Sequence, residues 1–153
     1  MSLQSAQRGF TTAEILVVIA IAVMLMGVSI AAFSSFRSYF LLRTAVQDVQ
    51  TAFLDARSRT LASLDDTIHG VHLESKKIVR FEGSTYSSST PTNVVYLFPD
   101  QVTASTTLVG GGFEVMFTRL TGETQASGTI IMTEPRSGAS TTIRVTSSGF
   151  IEI

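Results

Sequence analysis

The chain opens on one apolar stretch. Of the 27 residues from Phe10 to Phe36, 20 are apolar and only one, Glu14, is ionisable. Ile15–Phe33 is a run of 19 residues without a charge. As a helix rising 1.5 Å per residue, that run would span about 28 Å, close to the ~30 Å hydrocarbon core of a bilayer. A helix buried in a soluble core normally keeps a polar stripe, and this one has none. The pattern therefore predicts a membrane-embedded helix. Gly27 and Ser29 are compatible with it, because Ser can bond back to the helix backbone and Gly permits close helix packing. Arg8 precedes the span, while Arg37 and Arg43 follow it. Positive charge thus does not place the Arg8 side in the cytoplasm.

Downstream the pattern becomes amphipathic. Leu42, Val46, Val49, Phe53, Ala56, Thr60 and Leu64 recur at spacings of three and four, which is one helical stripe. Neither Gly nor Pro interrupts Ala31 to Leu64. One long helix from about residue 11 to 64 is expected, with its second half burying the stripe against its own domain. After Leu64 the period becomes two. Gly70–Glu74, Lys77–Phe81, Val94–Phe98, Phe113–Leu120, Gly128–Thr133, Thr142–Thr146 and Phe150–Ile153 all read as strands,. Phe113, Val115 and Phe117 alternate with Glu114, Met116 and Thr118, as a half-buried strand does. Turn signals separate the strands: the Ser/Thr-rich 86–92, Gly110-Gly111-Gly112, and the Pro- and Gly-containing 135–140,. Short strands without crossover helices predict antiparallel pairing.

Composition narrows the reading. The 153 residues carry 11 Lys+Arg and 12 Asp+Glu, a net charge of −1, and no cysteine. A near-neutral balance gives no general attraction to nucleic acid. The missing cysteine excludes a disulfide framework, a thiolate zinc site and a thiol nucleophile. Mean hydropathy is +0.34, and the excess lies in the N-terminal span.

Glu14 is the residue that needs an explanation. An ionised carboxylate at the edge of hydrocarbon is costly unless paired. Locally, Thr11-Thr12-Ala13-Glu14 fits the capping box that closes a helix N-terminus. A secretory signal peptide would use Ser29-Ile30-Ala31 as its cleavage site,, but its apolar stretch would be unusually long. The run Arg8-Gly9-Phe10-Thr11-Thr12-Ala13-Glu14, followed by Ile15-Leu16-Val17-Val18-Ile19-Ala20-Ile21, resembles the class III signal of type IV pilins and type II secretion pseudopilins. The resemblance implies residues 1–9 as a cleaved leader and 10–36 as a transmembrane and assembly helix. Residues 37–153 would be an extracytoplasmic head, with an amphipathic helix at 37–64 and antiparallel β-structure at 68–153. It implies that a prepilin peptidase cuts between Gly9 and Phe10 and methylates the new amine. Glu14, fifth from that cut, would pair with the Phe10 amine of a neighbouring subunit and set the axial register. Each charge alone is expensive in an apolar fibre, and pairing offsets much of the cost.

Two later stretches narrow the resemblance to minor pseudopilins of the GspH/FimT type. They are a helix ending in Ala56-Arg57-Ser58 and a tail that includes Ile143-Arg144-Val145 and Ser148-Gly149-Phe150-Ile151. The implied fold is α+β: a long N-terminal helix, transmembrane then amphipathic, packed on an antiparallel sheet or small β-sandwich. The implied function is structural, assembly into a type II secretion pseudopilus or type IV pilus. The implied partners are other pilin or pseudopilin subunits, the prepilin peptidase, the inner-membrane assembly platform and membrane lipid. The implied location is the inner membrane before assembly and the fibre afterwards. Many relatives carry a Pro at the position of Ala31, so any kink attributed to that Pro is not expected here.

Two other readings stand beside this one: a single-pass anchored β-domain that never polymerises, and a DNA-binding competence-type minor pilin. DNA is not an expected partner, because only Lys76, Lys77 and Arg80 cluster and the tail is acidic and apolar,. His69 and His72, three apart on a strand, would face opposite sides, so no metal site is expected. Gly110-Gly111-Gly112 lacks the Lys-Ser/Thr ending of a phosphate loop. No nucleophile elbow is present. Neither a catalytic residue nor a cofactor is expected.

Overall fold

A computed structural model describes residues 9–153, except for the side chains of residues 28–35 and of Asp65. The chain divides into two compact units, one ending at Phe36 and one running Arg37–Ile153. Helix α1 is assigned Thr12–Leu61. Its described side chains fall in two stretches, of 16 and 26 residues. Residues 1–8 of the expected 1–9 leader, and the side chains of Ser29 and Ala31, lie outside the described residues.

The structure departs from the expected long N-terminal transmembrane helix. Among the described residues, no helix is long and apolar enough to cross a membrane. The expected transmembrane helix is therefore not found among the described residues, and they give single-pass anchoring no support.

The second unit is built as follows. Its part of α1 buries Leu42, Ala45, Val46, Val49, Ala52, Phe53, Ala56 and Thr60 along one face. Leu64 has left that stripe: it sits exposed in a short 3₁₀ turn, Leu64–Asp66. Eight strands follow: β1 His69–Glu74, β2 Lys77–Glu82, β3 Val94–Leu97, β4 Thr103–Leu108, β5 Glu114–Met116, β6 Gly128–Glu134, β7 Ala139–Val145 and β8 Ile151–Glu152. They form two four-stranded sheets, ordered β3-β2-β1-β5 and β4-β6-β7-β8. Every pairing is antiparallel.

Alternation explains which faces are buried. Val71 and Leu73 of β1, Ile78 of β2 and Val115 of β5 share one core with Ile130 and Met132 of β6, Ile143 and Val145 of β7, and the helix stripe. Ile131 and Arg144, one position out of phase, are exposed, as a period of two requires. Phe53 meets Phe117 edge to face, with ring centroids 6.1 Å apart, and so joins helix to sheet at the centre.

Strand β4 was not anticipated. Its sequence, Thr103-Ala104-Ser105-Thr106-Thr107-Leu108, has only Leu108 fully buried. It is held by its six-residue ladder to β6 more than by burial of its side chains. Strand β5 is shorter than the expected Phe113–Leu120. The chain turns after Met116, with Leu120 in the left-handed region at φ 72° and the Gly122 amide donating to the Thr118 carbonyl.

Candidate assembly site

The expected processing and assembly residues lie at the start of α1. Gly9 and Phe10 precede the helix, and the Phe10 side chain is 83% exposed. An added Cβ at Gly9 would meet nothing within 4 Å, so the Gly9–Phe10 bond is open to an enzyme. Thr11 and Glu14 close the helix end reciprocally. The Glu14 amide donates to Thr11 Oγ1 at 3.2 Å, and the Thr11 amide and hydroxyl both donate to Glu14 Oε2 at 2.9 Å. This is the capping box. Both bonds fall on one carboxylate oxygen, and among the described residues Oε1 takes none. The carboxylate also lies in the first turn, where the helix dipole favours negative charge.

Past Glu14 the helix surface is apolar. Ile15, Leu16, Val17, Val18, Ile19, Ile21, Val23, Met24, Leu25 and Met26 are all exposed, from 50% at Ile15 to 76% at Met24. Consecutive helical positions point about 100° apart, so these side chains cover the whole circumference. A contiguous apolar surface of this kind marks an interaction site.

In the second unit, the two stretches that carried the narrower resemblance meet. The Arg57 guanidinium lies over the Phe150 ring, 4.1 Å from its centroid, and Arg57 Nε donates to the Gly122 carbonyl at 3.2 Å. Gly149 packs against Gly122 so closely that a Cβ on it would lie 1.9 Å from the Gly122 oxygen. The helix end is thereby tied to the tail.

The other residues singled out in the sequence are dispersed. His69 is buried, and its Nδ1 accepts from Arg80 Nη1 at 3.3 Å. Burial first, then the Arg80 charge, hold the His69 pKa below its ordinary value, so the ring is neutral at pH 7. His72 faces the other way, stacked on Tyr86 at 4.0 Å, with Glu114 3.4 Å from Nδ1 and Glu74 3.8 Å from Nε2. The two carboxylates address different ring nitrogens, and among the described residues no group could hold a metal ion.

The members of the basic cluster make separate contacts within the protein. Lys76 donates to the Asp100 and Val102 carbonyls. Lys77 pairs with Glu74 at 3.1 Å. Arg80 is buried on Asp55 at 2.9 Å. Each charge is already engaged with the protein.

The sequence reading missed Glu134. Its side chain is fully buried and accepts from the Arg136 amide and from the Ser137 amide and hydroxyl. The Ser137 bonds, partly opposed by burial, keep its pKa below the ordinary carboxylate value. The signal was present as an acid three residues before a serine in a Pro- and Gly-containing turn. No family model matches the chain, and neither a curated protein nor a solved structure matches it.

Proposed function

We propose that the chain is a structural subunit of the type IV pilin and type II secretion pseudopilin kind, of the GspH/FimT minor class. It is cut by a prepilin peptidase between Gly9 and Phe10, methylated on the Phe10 amine, and added to a pseudopilus or pilus. The head, residues 37–153, lies on the extracytoplasmic side, in keeping with a surface rich in Ser and Thr. One observation carries this reading: an apolar helix surface, exposed on all sides, begins one residue after a carboxylate and at the sixth residue after an accessible Gly-Phe bond. Each large aliphatic side chain taken from water contributes about 1.5–3 kcal/mol. The same helix of neighbouring copies supplies the cover, and a bundle of such helices is the core of a fibre. The partner of Glu14 is the Phe10 amine of the adjacent subunit.

The capping box gives Glu14 a second job, and one pair of variants separates the two. Glu14→Gln keeps an oxygen acceptor for the Thr11 amide, since Gln also serves in capping boxes. It removes only the charge. Glu14→Ala removes both. Incorporation into filaments, followed by co-purification with the major subunit, is expected to be lost in both variants. If Glu14→Gln incorporates like the parent while Glu14→Ala does not, Glu14 is a helix cap and the charge pairing is wrong.

A further inference from the structure

Strand β3 ends its sheet, with β2 on one side and, among the described residues, no strand on the other. The Phe98 amide donates to the Lys76 carbonyl across the β2–β3 ladder at 2.9 Å. Antiparallel ladders alternate, so Val94 and Tyr96 also turn their backbone groups toward β2. The amides and carbonyls of Val95 and Leu97 therefore point out from the open edge. The side chains of these two residues are 49% and 71% exposed.

Natural sheets guard such edges with Lys, Pro, inward charges or bulges. β3 has none of these: Val94-Val95-Tyr96-Leu97-Phe98 is five apolar residues without a charge. The edge strand β5 begins on Glu114, and β4 is built from Ser and Thr with Ala104 and Leu108.

We infer that β3 is a self-pairing surface whose partner is the β3 of a second copy of this chain. The register makes the strand complementary to itself. Antiparallel pairing about a two-fold axis at Tyr96 sets Val95 opposite Leu97 of the partner, and Leu97 opposite the partner's Val95. These are the positions with open backbone groups, so each pair exchanges both N–H···O bonds. Their exposed side chains become cross-strand neighbours on one face, an apolar pairing that stabilises sheets. No charge is buried and none meets its like. The β3-β2-β1-β5 sheets of the two copies become one sheet of eight strands. The inference goes beyond the fibre reading and does not depend on it, because its contacts lie wholly within the head.

The absence of cysteine makes a register-specific test clean. Full-length Val95→Cys and Leu97→Cys proteins are prepared separately in mild detergent, then oxidised with diamide alone and as a mixture. In the proposed register, residues 95 and 97 of the two copies have Cα atoms about 5.5 Å apart, within disulfide range. The mixture is expected to give a covalent species at twice the 16.4 kDa monomer mass, and each protein alone is expected to lack it. Adding Tyr96→Lys to both chains is expected to abolish the cross-link, with unchanged far-UV circular dichroism showing the head still folded. Absence of the cross-link in the mixture overturns the proposal. So do equal yields in the mixture and in either single variant, since copies gathered only by their N-terminal helices would collide without this register.

Discussion

Gly149→Ala is expected to lower the melting temperature of the head on the order of 10 °C. Two costs add. Gly149 has φ 78°, in the left-handed region where a side chain costs about 1–2 kcal/mol. The new Cβ would also lie 1.9 Å from the Gly122 oxygen and 3.2 Å from Arg57 Nε, so backbone must move, and overpacking of this kind costs about 1–3 kcal/mol. The displaced atoms belong to the clasp of Arg57 on Gly122 and Phe150, so the helix end loosens together with the tail. Gly138→Ala separates the two costs. Gly138 has φ 71° and nothing within 4 Å of an added Cβ, so only the conformational cost applies. Thermal unfolding of both variants should show Gly149→Ala about two- to threefold more damaging. Equal losses would mean that the close approach of Gly149 to Gly122 contributes nothing.

Phe53→Ala is expected to destabilise the head by about 3–5 kcal/mol. Phe53 is 2% exposed, sits in the apolar cluster shared by helix and both sheets, and packs edge to face on Phe117. Its removal leaves a cavity that the flanking strands, fixed in their ladders, cannot close. The neighbouring Leu54 is 60% exposed, so Leu54→Ala should stay within about 0.5 kcal/mol. Urea unfolding of the pair measures the difference directly. A small effect at Phe53 would show that the stripe of α1 is not what holds helix to sheet.

The stripe itself was legible because helical spacing and burial report the same geometry: Leu42 to Thr60 are buried as their three- and four-residue intervals require. β6 and β7 were legible for the parallel reason, since Ile130, Met132, Ile143 and Val145 alternate with polar or exposed neighbours. β4 was not, because a Thr- and Ser-rich edge strand is stabilised by pairing with a partner, and pairing leaves no period in the strand's own residues. Glu134 was hidden because burial of an acid depends on amides that only the folded turn presents. The transmembrane expectation rested on composition over Ile15–Phe33, and among the described residues no helix is long and apolar enough to cross a membrane. At the candidate site, the hydrogen bonds of Glu14 display its capping reading. The meeting of Arg57 with Gly149 and Phe150 was beyond any local pattern, since 65 residues separate Arg57 from its Gly122 acceptor.

The central claim is that this chain is processed for assembly at its N-terminus. Intact-mass and N-terminal peptide mass spectrometry of the protein, co-expressed with a prepilin peptidase, tests that claim most directly. The account predicts a mature chain that begins at Phe10 and carries one methyl group on its amine. A chain that keeps Met1, or one that begins near Ala32, would contradict it.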